Sequence, residues 1–194
     1  GQPMGVLGIA RDITERRRHE DRIERLNRSY SVLSSVNEAV VRLRDRDTLF
    51  RELCRIAVET GGFRLAWVGA HDEAAASVRP VAWAGLADDY LQRLVLPTVP
   101  GHHGPVPDAL HSGQPQVVPD IAAEPTLAHR RDALLAMGLR AVAVLPITVP
   151  GGAWHCLAVY STTGEHFDDE QVALLARLAR DVAFALEFIA AEQA

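Results

Sequence analysis

A helical stretch near the start of the chain, residues 23–40, places the strongest constraint on how this sequence can fold. Apolar residues recur there at alternating intervals of three and four, which is the seam of a heptad repeat. A helix of this length, about 27 Å, is marginal by itself in water, so the seam needs a partner. That partner is the rest of this chain, a second copy, or both. The seam consists of Ile23, Leu26, Tyr30, Leu33, Asn37 and Val40.

The end of the chain carries a second helix of the same kind. Asp168 is its predicted N-cap, Gln171 is the third helical position of a capping box, and Phe167 with Val172 forms the hydrophobic staple. Heptad-like helices at both ends predict a bundle of the first and last helices in a homodimer, with the polar Asn37 setting the register. The stripe of the last helix runs through Leu175, Leu178, Val182, Ala185 and Ile189.

Between these helices, the pattern predicts a mixture of strands and shorter helices. Asp45 or Asp47 caps a helix, and Gly61 with Gly62 ends it. Seven of the eleven prolines fall within residues 97–126, which indicates a loop-rich cover over part of the fold. The predicted helices are 48–60, 88–94, 107–111 and 126–137, and the predicted strands are 63–71, 78–85, 116–118, 141–149 and 153–161.

The first residues read as a strand followed by a charged helix. Residues 5–10 are mostly apolar, and Asp12 and Thr14 are natural helix caps in the sequence Asp-Ile-Thr-Glu-Arg. A strand that runs into this motif resembles the end of a PAS domain. The resemblance implies that residues 1–16 are the last strand and exit motif of such a domain, and that residues 17–43 are a coiled-coil-like signalling helix.

The order of the central elements, together with several local motifs, resembles a GAF domain over residues 29–190. The motifs are Gly-Phe-Arg-Leu-Ala-Trp-Val-Gly at 62–69, Pro-Val-Ala-Trp-Ala-Gly at 80–85, Leu-Ala-Val-Tyr-Ser at 157–161 and Phe-Asp-Asp-Glu at 167–170. The resemblance implies an α+β fold, in which an antiparallel sheet carries helices on both faces. It also implies an internal part of a bacterial sensory protein that relays signals to a histidine kinase or a cyclic-di-GMP enzyme.

Composition restricts the range of functions. The net charge of −5 and the pI of about 5.9 argue against a nucleic-acid-binding surface. No run of eighteen apolar residues would span a membrane, and we expect a cytoplasmic location. Cys54 and Cys156 lie in apolar surroundings, which favours buried free thiols over a disulfide.

A small-molecule pocket is expected beneath the segment 86–137, which we call the lid segment. Aromatic residues of the first two strands would form its walls, and polar residues of the lid would face it. Core packing is the alternative interpretation for the aromatic residues, and capping of a turn is the alternative for Asp120. The candidate residues are Trp67, Trp83, Tyr90, His102, His103, Asp120 and His129.

No tightly bound cofactor is predicted. The eight histidines lack the spacing of a metal site, and a haem with one axial histidine from His102, His103 or His129 is an alternative. A covalent bilin would need an exposed cysteine. The Asn-Lys motif that cyclic-nucleotide-binding GAF domains share does not precede residues 167–170.

Two functions therefore remain open, and neither is catalytic. The first is a sensor that binds a small molecule and passes a change in packing through its terminal helices. The second is a ligand-free dimerisation spacer. An enzyme resembling methionine sulfoxide reductase would need reactive cysteines near the lid, so no catalytic residues are predicted.

Overall fold

A computed structural model describes the backbone of residues 4–86, 88–164 and 167–192, and the side chains of residues 13–86, 89–164 and 167–192. The helices in these described residues are α1 (Met4–Arg42), α2 (Arg46–Glu59), α3 (Asp88–Gln92), α4 (Pro105–Ser112), α5 (Arg131–Ala136) and α6 (Asp169–Glu192). A 3₁₀ turn occupies Pro125–Leu127. The six strands are β1 (Leu65–Asp72), β2 (Ser77–Gly85), β3 (Leu96–Pro97), β4 (Gln116–Val118), β5 (Ala141–Thr148) and β6 (Trp154–Ser161).

The strands form one antiparallel sheet in the order β3-β2-β1-β6-β5-β4. The long strands β2, β1, β6 and β5 form the interior of this sheet, and the short strands β3 and β4 lie at its edges. This arrangement confirms the predicted α+β fold with helices on both faces of an antiparallel sheet.

Each face of the sheet is buried in its own core. Successive residues of β1 point to opposite faces, so Ala66 and Val68 belong to one core, whereas Leu65 and Trp67 belong to the other. The helix-side core contains residues of α1, α2 and α6. The lid-side core contains residues of the lid segment, including Leu91, which is 1% exposed. The same strands therefore connect the lid to the long helices.

Helices α1 and α6 run side by side in the same direction. Near the start of α6, Arg22 forms ion pairs with Asp168 (3.8 Å) and Glu170 (3.2 Å). Near its end, the Arg44 guanidinium lies 5.1 Å from the centre of the Phe188 ring. Residues 13–24 of α1 are exposed. The first half of α1 thus extends past the start of α6.

The helix caps follow local chemistry. Asp45 caps α2, because its Oδ2 accepts a hydrogen bond from the Thr48 N–H at 2.8 Å. Asp168 caps α6, and its Oδ1 accepts from the Gln171 N–H at 2.9 Å. The Gln171 side chain does not return to the cap as a capping box would require. Its amide instead donates to Ser29 Oγ of α1 at 3.3 Å, and both residues are buried.

Three sequence predictions differ from the structure. The predicted strand at 5–10 is wrong, and so are the caps at Asp12 and Thr14, because α1 is helical from Met4. A lone strand leaves its backbone groups unpaired, whereas a helix satisfies them within the segment. The predicted helix at 126–137 is broken, because the Glu124 carboxylate accepts from the Thr126 N–H and the 3₁₀ turn separates from α5. Strand β3 was not predicted.

Among the described residues, the structure has no helix that is long and apolar enough to cross a membrane.

Packing of α6 against the sheet predicts a large effect of truncating Leu178, which is 1% exposed. We expect Leu178→Ala to lower the free energy of unfolding by about 2–5 kcal/mol, since the substitution removes buried methyl groups and leaves a cavity. Urea denaturation followed by circular dichroism measures this change. Leu86→Ala is the control, because Leu86 is 37% exposed, and its effect should stay below about 0.5 kcal/mol. Equal effects would contradict the assigned core.

Candidate functional site

An aromatic surface crosses three neighbouring strands on the lid side of the sheet. Trp67 of β1 lies opposite Trp83 of β2, and Leu65 of β1 lies opposite Tyr160 of β6. Trp67 is fully buried, Tyr160 is 4% exposed and Trp83 is half-buried. We call Trp67, Trp83 and Tyr160 the aromatic floor. The structure thus brings together two of the predicted pocket residues and adds Tyr160.

The lid segment places Tyr90 and Arg130 against this floor. Both residues are half-buried, and Tyr90 of α3 packs against the lid-side core. The Arg130 guanidinium donates a long hydrogen bond of 3.5 Å to the Tyr90 hydroxyl. Arg130 lies in the short connection between the 3₁₀ turn and α5. This connection, where the predicted long helix is broken, turns the arginine toward the floor.

Burial and charge act together on the Tyr160 hydroxyl. Burial raises the pKa of Tyr160 to about 12, while the positive charge of Arg130 acts in the opposite direction. The phenol therefore keeps its proton at neutral pH and can donate a hydrogen bond. Tyr90 and Trp67 also lie close enough to affect this hydroxyl.

One buried donor near the floor, Nε of Arg130, has no hydrogen-bond partner in the described part of the chain. The indole N–H of Trp67, by contrast, is directed at the Tyr160 hydroxyl. A buried polar group without a partner is rare in folded proteins, because it loses its bonds to water without replacement. Neighbouring Arg131 also has an unpartnered Nε, but its terminal nitrogen donates to the Glu124 carbonyl at 2.8 Å. The Nε–H of Arg130 is therefore a donor that an added acceptor would satisfy.

The other predicted pocket residues lie elsewhere on the lid. The rings of His102 and His129 lie 6.5 Å apart, and burial lowers the pKa of His129, with Arg130 and His102 adding to the effect. His103 is exposed and its Nδ1 contacts Asp108 Oδ1 at 3.2 Å. Exposed Asp120 caps a turn by accepting from the Ala122 N–H at 2.9 Å.

Sequence reasoning missed Arg130, Arg131 and Tyr160. The alternation of β6 could have identified Tyr160, since Ala158 and Tyr160 share the face opposite Val159. The arginines gave no such signal, because an arginine in a lid is usually exposed and only the fold shows that these are half-buried.

The two cysteines are buried in different cores. Cys54 belongs to the helix-side core and Cys156 to the lid-side core, so the sheet separates them. Burial raises the pKa of each thiol to about 12, which keeps both protonated and unreactive at neutral pH. The described residues also contain no group of three histidine, cysteine or acidic side chains that could hold a metal ion.

A cleft of about 340 Å³ lies between the start of α2, the β5–β6 hairpin and the end of α6. His155 lines it, packs against Phe50 with ring centres 5.1 Å apart, and is 5% exposed. The backbone of Ala153 forms a hydrogen bond with the imidazole. Burial lowers the pKa of His155, and the charge of Arg46 lowers it further.

The residues predicted for a helical bundle divide into three groups by exposure. Leu33 and the α6 stripe are buried in the chain's own helix-side core, and Leu26 and Val40 are half-buried. The α6 stripe consists of Leu175, Leu178, Val182, Ala185 and Ile189. Ile23, Tyr30 and Asn37 are exposed. Exposed apolar side chains that the heptad pattern did not include are Val41 of α1 and Phe184 and Phe188 of α6.

Comparison with known proteins gives a consistent result. A family model described as "GAF domain" matches residues 44–187. The structure resembles the GAF domain of a phosphoenolpyruvate-protein phosphotransferase from Coxiella burnetii, with a TM-score of 0.70 and 17% identity over 85% of this chain and 96% of that one. No curated protein sequence matches the chain.

Two further structures show the same fold. A free methionine-R-sulfoxide reductase from Neisseria meningitidis, in complex with its substrate, has a TM-score of 0.70 and 18% identity over 82% of this chain and 88% of that one. A fragment of a methyl-accepting chemotaxis protein has a TM-score of 0.65 and 24% identity over 82% of this chain and 99% of that one. At these identities the likeness concerns the fold.

The environment of His155 predicts a loss of stability in mild acid. A pKa lowered from the ordinary value of 6.5 means that the unfolded chain binds the proton more readily than the folded protein does. The contribution of the neutral His155 imidazole to the free energy of unfolding is thus fully present above about pH 6.5. It is lost as the pH falls toward the pKa of the folded state. We expect the free energy of unfolding to decline between pH 7 and pH 5.

His155→Gln should make this decline shallower, and His111→Gln, at an exposed position, should leave it unchanged. Urea denaturation at each pH measures the slope. Asp45 and Asp47 also line the cleft, and hydrogen bonds from Thr48 lower the pKa of Asp45 below the ordinary 3.8. That carboxyl group therefore titrates below the tested range. Identical slopes for wild type and His155→Gln would contradict the prediction.

Proposed function

The chain belongs to the GAF domain family, and we propose that it is a sensor and relay module that binds a small molecule between the aromatic floor and the lid segment. GAF domains are regulatory sensor domains that bind small molecules, although one protein of the same fold is a reductase. The observation that carries the proposal is that the half-buried side chains of Tyr90 and Arg130 lie against the aromatic floor, of which Trp83 is also half-buried. Aromatic surfaces with a few polar groups are typical of small-molecule sites.

The sheet offers a direct route from this site to the long helices. Trp67 faces the lid, while its neighbours Ala66 and Val68 pack in the core that α1 and α6 share. A ligand that binds one arrangement of the lid more tightly also favours the strand positions that go with it. Helices α1 and α6 would then carry the change toward an output domain. The PAS-domain end predicted at residues 1–16 is not part of this proposal, because its strand is helical in α1. The bacterial signalling context, the kinase or cyclic-di-GMP output and the cytoplasmic location remain predictions from the sequence.

A homodimer completes the proposed relay. The residues that we propose for its interface differ in part from the predicted heptad seam of α1. Ile23 and Val41 are separated by eighteen residues, about five turns, so they share one face of α1 with Tyr30. Their side chains are 59%, 73% and 53% exposed. Val41 also shares a groove with Phe184 and Phe188. We call these five residues the α1–α6 face.

A second copy of the chain suits this face best. The seven-residue spacing of Ile23, Tyr30 and Asn37 is that of helices packed along a heptad seam. Two parallel helices that expose one apolar face form a four-helix bundle when a two-fold axis pairs the face with itself.

A ligand-free dimerisation spacer is the second candidate. It is favoured by the close packing of the lid, where Val106, Ile121, Leu127 and Leu134 are at most 2% exposed. A lid packed in this way can close over the floor without a ligand.

Native mass spectrometry of the purified protein, with an absorption spectrum of the same sample, separates the two candidates. A dimer with additional bound mass supports the sensor, and a Soret band would identify haem as the ligand. A colourless dimer without bound mass supports the spacer.

The α1–α6 face predicts that charge at Phe184 and Phe188 abolishes dimerisation. We expect the double variant Phe184→Glu, Phe188→Glu to sediment as a monomer at concentrations where the wild type is a dimer, because the interface would bury both carboxylates. Analytical ultracentrifugation measures the mass, and circular dichroism verifies folding. Val81→Glu places the same charge on β2 at a side chain that is 49% exposed, and should remain dimeric. A double variant that stays dimeric would exclude this interface.

A further inference from the structure

The proposed site has positive charge and hydrogen-bond donors that the described protein does not match with acceptors. Nε of Arg130 is buried without a partner, and a terminal nitrogen of Arg130 makes only a long hydrogen bond of 3.5 Å to the Tyr90 hydroxyl. The nearby Tyr160 hydroxyl is protonated at neutral pH, because burial raises its pKa to about 12. A ligand that suits this site must bring acceptor oxygens.

The interactions of Arg130 in the described part of the chain include no negative partner. A terminal nitrogen donates to the Tyr90 hydroxyl, and the positive charge acts on the Tyr160 hydroxyl and on the neighbouring His129 ring. No carboxylate of the described residues forms an ion pair with Arg130. Nearby Glu124 is occupied, because its carboxylate accepts from the backbone N–H and the hydroxyl of Thr126. The guanidinium is therefore a half-buried charge without a counter-ion in the described structure.

We propose that the site binds a small molecule with one carboxylate group, held by Arg130, and with an apolar body that lies on the aromatic floor. This inference rests on the function proposed above and specifies its ligand class. A guanidinium presents parallel N–H groups that match the two oxygens of a carboxylate. The half-buried Trp83 provides the part of the aromatic floor on which an apolar ring or chain can lie.

A carboxylate fits this site better than a phosphate group does. The terminal nitrogen of Arg131 already donates to the Glu124 carbonyl, so Arg130 is the cation that remains for a ligand. One cation neutralises the single charge of a carboxylate. A phosphate monoester carries close to two charges at neutral pH and would be left partly uncompensated among apolar residues.

Ligand binding and folding place different demands on Arg130, and this difference makes the inference testable. The Nε atom of Arg130 contributes no hydrogen bond to the stability of the ligand-free protein, since it is buried without a partner. Arg130→Gln should therefore leave the melting temperature of the ligand-free protein unchanged or slightly higher. A residue that mainly supported the fold would give a lower melting temperature instead.

The experiment measures binding of three acids and their primary amides to the full chain by isothermal titration calorimetry. The acids are phenylacetate, indole-3-acetate and hexanoate, which place different apolar bodies behind the same carboxylate. We expect at least one acid to bind about tenfold or more tightly than its amide. That preference should disappear in Arg130→Gln, decrease in Arg130→Lys and persist in Arg140→Gln, which removes an exposed arginine.

The remaining outcomes separate this inference from the proposed function. Acids and amides that bind equally well, with no effect of Arg130→Gln, would overturn the carboxylate inference while leaving a ligand site. If no probe binds, native mass spectrometry shows whether the purified protein holds a bound molecule and of what kind. A bound acid that is lost in Arg130→Gln supports the inference, and a bound neutral molecule overturns it. A protein without bound mass overturns both.

Discussion

Burial of both faces of the central sheet is the constraint on which the rest of this structure depends. Strands β1, β5 and β6 are apolar on each side, so neither face can be left in water without a large loss of hydrophobic stabilisation. The long helices cover one face and the lid segment covers the other. Because the two covers share the same strands, the proposed relay would carry a rearrangement of side chains under the lid to the helical side through a single layer of backbone.

The elements with strong local signals were predictable from the sequence. Asp45 caps α2 as expected, and the strands around Trp67 and Tyr160 follow the apolar pattern. The strand predicted at 5–10 was wrong, because the apolar run alone does not show whether strand partners are available. The heptad seam was predicted, but the sequence could not show that Leu33 faces the chain's own core while Tyr30 faces solvent. That distinction depends on where α6 packs.

The candidate site shows the same division between local pattern and tertiary packing. Aromatic residues at alternate strand positions indicated the floor, since period two places them on one face. Arg130 carried no comparable signal, because its half-buried position depends on the break between the 3₁₀ turn and α5. GAF domains share a scaffold and differ in ligand, so residues of the lid rather than of the sheet distinguish one member from another. Family membership therefore predicts where a ligand would bind, and the residues of the lid would determine which ligand it is.

The buried hydrogen bond between Gln171 and Ser29 limits how α1 and α6 can move. If one helix slid along the other by a single turn, about 5.4 Å, the amide and the hydroxyl would separate inside the core and both would lose their partner. This bond therefore opposes sliding of α1 along α6. In the proposed relay, a signal would then be expressed as a tilt or rotation of the two helices together rather than as a piston movement of one helix. The exposed rings of Phe184 and Phe188, near the end of α6, would move furthest in such a tilt.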